Sequence, residues 1–322
     1  MTLSRRALAA VALALLAGLA ASCSDGDDAR SAPPLPPEAI ASEERVFVDA
    51  SRPTAPNGSF PGAPERTIAT RLWYAPEQPR MRPCGRDGCA LVVLAHGFGG
   101  STLRFDAIAR YLAGRGYVVA APSFPLTNED APGGHLTALG DVVSQPADLS
   151  FVIDRLLAAS DDPSDALAGR IDGERIGVVG HSLGGATVAA QTRLPCCTDP
   201  RVDAAVGVAG LGFAVSGLFG GEEISRSGPP TLCIAGGQDP VVPPPRVREF
   251  YDAIEPARVY VELHAANHVD LIESVGAPSP NLLLAARAIE GFLAAYLAGD
   301  GALLATTLDE LAAAGETVAA DL

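Results

Sequence analysis

The stretch RIGVVGHSLGGATVAAQTR, residues 175–193, decides the fold of this chain. Residues 175–179, apolar after Arg175, are typical of a buried strand, and the Ala-rich second half is typical of a helix. Between them lies Gly180-His181-Ser182-Leu183-Gly184, which fits the pattern G-x-S-x-G. The glycines of such a tight turn let strand and helix backbones approach without Cβ clashes. The sequence therefore predicts Ser182 at the carboxyl edge of a sheet, facing a helix N-terminus.

The chain around this unit alternates short apolar runs with longer helical patterns. Predicted strands cover residues 45–48, 67–74, 91–95, 117–121, 204–208, 231–235 and 258–263. Predicted helices cover residues 103–112, 184–193, 246–254 and 282–297, and another begins at Pro146. No helix separates the first two strands, so we expect them to pair antiparallel. The pattern predicts an α/β fold whose mainly parallel sheet is covered by helices on both faces.

Composition limits the classes of protein to which the chain can belong. Its 322 residues are 48% hydrophobic and 19% charged, which excludes a disordered chain. The net charge of −15 excludes nucleic acid as the expected partner, because an acidic surface repels phosphate. No break in composition divides residues 43–298, so we predict one domain, followed by an Ala-rich C-terminal tail at 299–322 with a loosely attached helix.

The N-terminus has the pattern of an export signal. Arg5 and Arg6 precede an apolar run over residues 7–21, too short to span a bilayer, so residues 1–22 are predicted to be a signal peptide. The sequence before Cys23 resembles a bacterial lipobox, although Ala20 stands where such boxes prefer Leu. We therefore expect lipidation of Cys23 and a Pro-rich, disordered tether over residues 23–42. The alternative is an ordinary secretory signal, and the arginine pair also permits twin-arginine export. We expect the protein to be located in the cell envelope or, if it carries no lipid, to be secreted.

Cysteine spacing indicates one disulfide. Cys84 and Cys89 bracket a turn-rich loop, and an exported chain favours a disulfide between them. No second cysteine pair or histidine cluster stands at zinc-ligand spacing, so no metal is expected. Cys233 lies in a predicted strand as a small buried hydrophobe. The pairing of the adjacent Cys196 and Cys197, and of Cys233, stays open.

The G-x-S-x-G turn in its strand–helix context resembles the nucleophile turn of α/β-hydrolases. In that fold an acid and then a histidine follow the nucleophile along the chain, which implies Asp239, after strand 231–235, and His268, after strand 258–263. Asp239 alternatively serves only as a turn residue before Pro240. His264 competes with His268, and Asp270 is a possible support of the same loop, whereas Asp199 and Asp203 precede their strand at the opposite edge.

The same resemblance implies an oxyanion hole made by two backbone N–H groups. Leu183 follows the nucleophile, and Phe98 stands in the turn His96-Gly97-Phe98-Gly99-Gly100 after strand 91–95. A phosphate-binding loop is excluded there, because no Gly-Lys-Ser/Thr follows. His96 is expected to brace this turn. Phe98, Leu211 and Phe213 are the predicted lining of an open acyl pocket, with His135 as a further candidate.

Residues 43–298 resemble bacterial serine hydrolases of the dienelactone hydrolase-like, platelet-activating-factor acetylhydrolase-like and cutinase-like polyester hydrolase group. Two features depart from it: dienelactone hydrolases use Cys where this chain has Ser182, and the polyester hydrolases carry a Trp where this chain has residues 210–213. No long insertion precedes strand 231–235, so no large lid is expected.

The resemblance implies a serine carboxylic ester hydrolase, a monomer without cofactor, acting on a small-molecule or lipid-like ester. An amidase or peptidase, a polyester hydrolase and a non-catalytic tethered binding protein are the alternatives.

Overall fold

The computed structural model describes residues 36–76, 83–210, 215–221, 223–274 and 276–322. Within these ranges ten strands form one sheet. The strands are β1 (Ala41–Asp49), β2 (Arg66–Tyr74), β3 (Cys84–Gly85), β4 (Gly88–Ala95), β5 (Val118–Pro122), β6 (Ile171–His181), β7 (Val202–Val208), β8 (Thr231–Gly236), β9 (Arg258–Leu263) and β10 (Thr317–Asp321). Their spatial order is β1-β2-β5-β4-β6-β7-β8-β9-β10, with β3 paired to β4. The six central strands, β5-β4-β6-β7-β8-β9 in spatial order, are parallel. Strands β1, β2 and β10 pair antiparallel at the two edges of the sheet.

Helices cover both faces of this sheet. They are α1 (Asp106–Ala113), α2 (Gln145–Asp161), α3 (Leu183–Arg193), the short α4 (Val215–Leu218), α5 (Pro244–Ala253), α6 (Pro280–Ala298) and α7 (Gly301–Ala313). Helices α1, α6 and α7 pack on one face, and α2, α3 and α5 pack on the other. The predicted α/β-hydrolase fold is therefore confirmed.

The central strands are apolar along their whole length because both of their faces are covered. All residues of β4 are buried: Val92 and Leu94 face α1 and α6, whereas Leu91 and Val93 face α2. Helix α6 is the one described helix long and apolar enough to cross a membrane, but its apolar side is buried in the core. Its composition is therefore that of a core helix.

The C-terminal residues differ from the expectation of a loosely attached tail. Helix α7 buries Leu304, Leu308 and Leu311 against the core, and β10 then pairs with β9 over five residues. The pairing covers the edge of β9, which would otherwise expose unpaired backbone groups. At the other end β1 begins at Ala41, and Ile40 is already buried, so the folded body starts before residue 43.

The predicted disulfide between Cys84 and Cys89 is present, and it joins β3 to β4. Cys196 and Cys197 form a second disulfide between adjacent residues, which spacing alone left open. Cys233 is buried in β8, as predicted, and the structure shows it as a free thiol whose pKa burial raises to about 12. The thiol is therefore protonated and unreactive at neutral pH. Cys23 lies outside the described residues.

Candidate active site

The turn between β6 and α3 holds Ser182 in a strained conformation. Its backbone angles are φ 53° and ψ −116°, a region that L-residues rarely adopt. A Cβ on Gly180 would lie 2.2 Å from the Gly184 carbonyl oxygen, and one on Gly184 would lie 2.1 Å from that of Ala95. Only glycine fits at either position, so the two flanking glycines are required by close backbone approach. The turn exposes the Ser182 hydroxyl at the carboxyl edge of the sheet.

Ser182, His268 and Asp239 meet at this edge. The Nε2 atom of His268 lies 3.0 Å from the Oγ atom of Ser182, and its Nδ1 atom lies 2.7 Å from the Oδ2 atom of Asp239. The buried Asp239 accepts two further bonds at Oδ1, from the backbone N–H groups of Val241 and Val242. These bonds fix the carboxylate in the turn after β8. The structure thus brings together the three side chains that the sequence predicts.

The competing side chains have other partners. His264 is half-exposed and contacts Thr317, and Asp270 accepts bonds from Asn267 and Asn281. Asp270 therefore braces the loop that carries His268 and does not face its imidazole. Asp199 pairs with Arg201, and Asp203 accepts a bond from the Ile176 N–H at the opposite edge of the sheet.

The environment of His268 favours its neutral form. Burial is the main cause that lowers its pKa, and the electrostatic effect of nearby His181 lowers it further. The hydrogen bond and charge of Asp239 oppose this shift, but the net direction is downward. A neutral imidazole whose Nδ1 donates to Asp239 presents a free lone pair on Nε2 to the hydroxyl of Ser182, as a general base requires.

The two backbone N–H groups predicted for the oxyanion hole lie in the turns after β4 and β6. Within the described residues, neither the Phe98 N–H nor the Leu183 N–H has a hydrogen-bond acceptor. A Cβ on Gly97 would lie 3.0 Å from the Ser182 Cβ, so the turn that carries Phe98 runs directly beside the nucleophile. The buried His96 braces this turn through the Gly97 carbonyl and the Phe124 N–H, as expected. Burial lowers its pKa to about 4 and keeps it neutral.

The loop after His268 also brings an unpredicted side chain to the site. Glu273 contacts Nδ1 of His181, and His181 in turn contacts the backbone oxygen of His268. His181 was visible in the G-x-S-x-G turn, but nothing in the sequence links it to a carboxylate 92 positions later. The sequence feature that could have indicated this contact was the position of Glu273, five residues after His268.

The model of the PET hydrolase-like family matches residues 84–277, which is more than half of the chain and spans all three of these side chains. The chain belongs to the PET hydrolase-like family. This PET hydrolase-like protein is an esterase, a carboxylic ester hydrolase, as the sequence predicts. No curated protein sequence matches it.

Solved structures support the fold of the PET hydrolase-like protein. A ferulic acid esterase from Streptomyces cinnamoneus superposes with a TM-score of 0.58 at 24% sequence identity. The match covers 83% of this chain and 93% of that chain. At this identity the likeness extends to the fold alone.

Phe98 and His135 are the residues of the predicted acyl pocket that the structure of this PET hydrolase-like protein describes. Phe98 is 37% exposed beside the nucleophile turn, and its ring meets that of His135 edge-on at 5.3 Å. His135 also lies against Gly99, where φ is +67° and an added Cβ would come within 2.8 Å of the His135 Nε2 atom. Leu211 and Phe213 lie outside the described residues, so their place in the pocket stays a prediction.

Proposed function

We propose that the protein is a serine carboxylic ester hydrolase that works through an acyl-enzyme on Ser182. The observation that carries the proposal is the pair of contacts of His268, 3.0 Å to the Ser182 hydroxyl and 2.7 Å to the Asp239 carboxylate. A serine hydroxyl is a weak nucleophile near neutral pH, and this arrangement supplies both the base and the group that orients the base.

Acylation begins when Nε2 of His268 takes the hydroxyl proton as the Oγ atom of Ser182 bonds to the ester carbonyl carbon. The carbonyl π pair moves onto oxygen, and the resulting oxyanion accepts bonds from the N–H groups of Phe98 and Leu183. When that pair re-forms the carbonyl, the bond to the alcohol oxygen breaks. The leaving alcohol takes the proton from His268, and Asp239 stabilises the imidazolium between the two transfers.

Deacylation repeats these steps with water. His268 removes a proton from water as the water oxygen bonds to the acyl carbon, and the second oxyanion occupies the same hole. Collapse breaks the bond to Ser182 Oγ, which regains its proton from His268 and releases the acid. No cofactor enters the scheme.

The test is a panel of p-nitrophenyl esters with the matching anilides. We expect the esters to be hydrolysed with a burst of p-nitrophenol, because an acyl-enzyme accumulates when deacylation is slower than acylation. Turnover of anilides at a comparable rate would assign an amidase, which shares this geometry. A wild-type protein inactive on both series would contradict the proposal and favour a binding protein.

A polyester is a second candidate substrate, favoured by the family match and by the apolar surface around the site. The segments that follow the carboxyl ends of β4, β5, β8 and β9 expose large apolar side chains: Phe98, Leu103, Leu136, Leu139, Val143, Val241 and Val269. Val241 and Val269 are near neighbours of Asp239 and His268 in the chain. Such a surface suits an apolar substrate too large to enter a pocket. Release of soluble acid from a polyester film supports this candidate, and activity restricted to soluble esters excludes it.

The pH dependence of ester hydrolysis follows from His268. Its titratable neighbours are Asp239, His181 and Glu273, and burial outweighs the attraction of the carboxylates, so the pKa of His268 lies below the ordinary value of about 6.5. The base must be neutral, so kcat/KM should hold through neutral pH and fall only below about pH 6.5. A pH profile with a p-nitrophenyl ester measures this fall in kcat/KM at acidic pH. The variant His264→Gln, which changes the competing histidine, should give the same profile. An acidic limb centred above the ordinary histidine value would contradict the assignment.

We propose that Cys23 carries the lipid anchor of an exported envelope protein. The short apolar run that ends before Cys23, followed by acidic and Pro-rich residues, supports this. One acyl chain binds membranes only marginally, whereas two or more anchor stably.

Cys23→Ala is therefore expected to change membrane fractionation, by retaining the precursor or releasing soluble enzyme, while specific activity stays at the wild-type level. Ser24→Ala is the matched control and should fractionate like the wild type. A wild-type protein recovered soluble, without lipid by mass spectrometry and beginning at another residue, would show that the chain is simply secreted.

A further inference from the structure

His181 is enclosed by two acceptors directly beside the nucleophile. Its side chain is 2% exposed, Nδ1 lies 2.9 Å from Glu273 Oε1, and Nε2 lies 2.8 Å from the backbone oxygen of His268. A carbonyl oxygen only accepts hydrogen bonds, so Nε2 must carry a hydrogen. If Glu273 is ionised, Nδ1 must carry one too, and the ring is an imidazolium.

The surroundings of Glu273 favour its ionised form. Its side chain is 10% exposed, and burial alone would raise its pKa. The hydrogen bond and charge of His181, with the charge of Arg104, outweigh burial and hold the pKa of Glu273 below its ordinary value. Arg104 Nη1 lies 3.4 Å from Glu273 Oε2, and its other arm reaches Glu129 at 3.1 Å. With both ring nitrogens of His181 facing oxygen acceptors, we expect the contact of His181 with Glu273 to be a buried ion pair.

We propose that His181 and Glu273 are positioning residues that tie the loop of the general base to the turn of the nucleophile. The proposal rests on the proposed function for its catalytic consequence. His181 directly precedes Ser182, and its Nε2 atom donates a hydrogen bond to the backbone oxygen of His268. This side chain therefore joins the nucleophile turn to the His268 loop, and the distance between that turn and that loop sets the contact of Ser182 with His268. Neither side chain touches the reacting atoms.

The other supports of this loop explain why the pair is needed. Asp270 caps the outer side of the loop through Asn267 and Asn281, and the Ser274 N–H donates to the backbone oxygen of Arg104. Among the described residues, the bond from His181 is the one side-chain hydrogen bond from the nucleophile turn to the backbone of His268. The two rings lie 4.9 Å apart, so a shift of His181 moves the surface against which His268 packs.

Glu273→Gln tests the pair, with Glu129→Gln as the matched control. The control removes the other carboxylate of Arg104 and leaves His181 untouched. We expect Glu273→Gln to lower kcat by up to about 100-fold, the scale of a misplaced catalytic group, with KM nearly unchanged. Glu129→Gln should keep the wild-type kcat. Equal kcat values in the two variants, or a loss confined to KM, would overturn the proposal.

A spectroscopic measurement of the protonation of His181 tests for the ion pair without relying on enzyme activity. The chain has five histidines, so nitrogen NMR of a histidine-labelled sample resolves each ring. We expect His181, assigned by its loss in His181→Gln, to show two protonated nitrogens at neutral pH in the wild type and one in Glu273→Gln. A wild-type His181 with a bare nitrogen overturns the proposal, even if a variant loses stability. If the wild type hydrolyses no ester, the proposed function fails, while the spectrum still decides the pair.

Discussion

Ser182→Ala is expected to lower kcat for p-nitrophenyl ester hydrolysis by about 10⁶-fold, the largest effect of any single substitution here. The variant removes the one atom that bonds to the acyl carbon, and His268 then has no hydroxyl to activate. The fold should not change, because the strained backbone at residue 182 is held by the glycines around it. The measurement is initial rate at saturating ester, with circular dichroism to check folding.

Ser164→Ala is the control for this comparison. Its hydroxyl lies in an exposed turn and bonds only Asp162 among the described residues, so activity should equal that of the wild type. Residual turnover in Ser182→Ala within about tenfold of the wild type would mean that another nucleophile carries the reaction, since each tenfold in rate is only about 1.4 kcal/mol of barrier.

Asp239→Asn is expected to lower kcat by about 10⁴-fold with the fold intact. The asparagine oxygen can still accept the bonds that Asp239 Oδ1 receives from Val241 and Val242, so its NH₂ group faces Nδ1 of His268. The imidazole must then accept at Nδ1 and carry its hydrogen on Nε2. That tautomer cannot take the proton of Ser182. Rates at saturating ester across the pH range measure the loss.

The matched control is Asp270→Asn, which changes a carboxylate on the loop of His268 without facing its ring. Its loss of kcat should be far smaller than that of Asp239→Asn. Comparable losses in the two variants, or a near-normal rate in Asp239→Asn, would assign the orienting role to another carboxylate.

Much of the fold was predictable because its signals are local. The strand predicted over residues 258–263 is β9 residue for residue, and the G-x-S-x-G turn lies between β6 and α3 as expected. Asp239 and His268 could be predicted because carboxyl ends of parallel strands converge on one edge, so chain order limits the choice of partners.

Contacts between distant segments were not predictable. The final strand β10 belongs to the sheet only because β9 offers an open edge, and its Ala-rich sequence has no strong strand propensity. The pair of His181 and Glu273 exists only after the nucleophile turn and the last loop meet. Neither periodicity nor composition predicts a contact between residues so far apart in the sequence.

Peptide mapping after treatment with a fluorophosphonate tests the central claim most directly. An activated serine displaces fluoride, forming an Oγ–phosphorus bond, whereas ordinary serines do not react. The account predicts one phosphonate, on the peptide that contains Ser182, and none on any peptide of Ser182→Ala. A phosphonate on another residue of the wild type, or labelling that persists in Ser182→Ala, would contradict it.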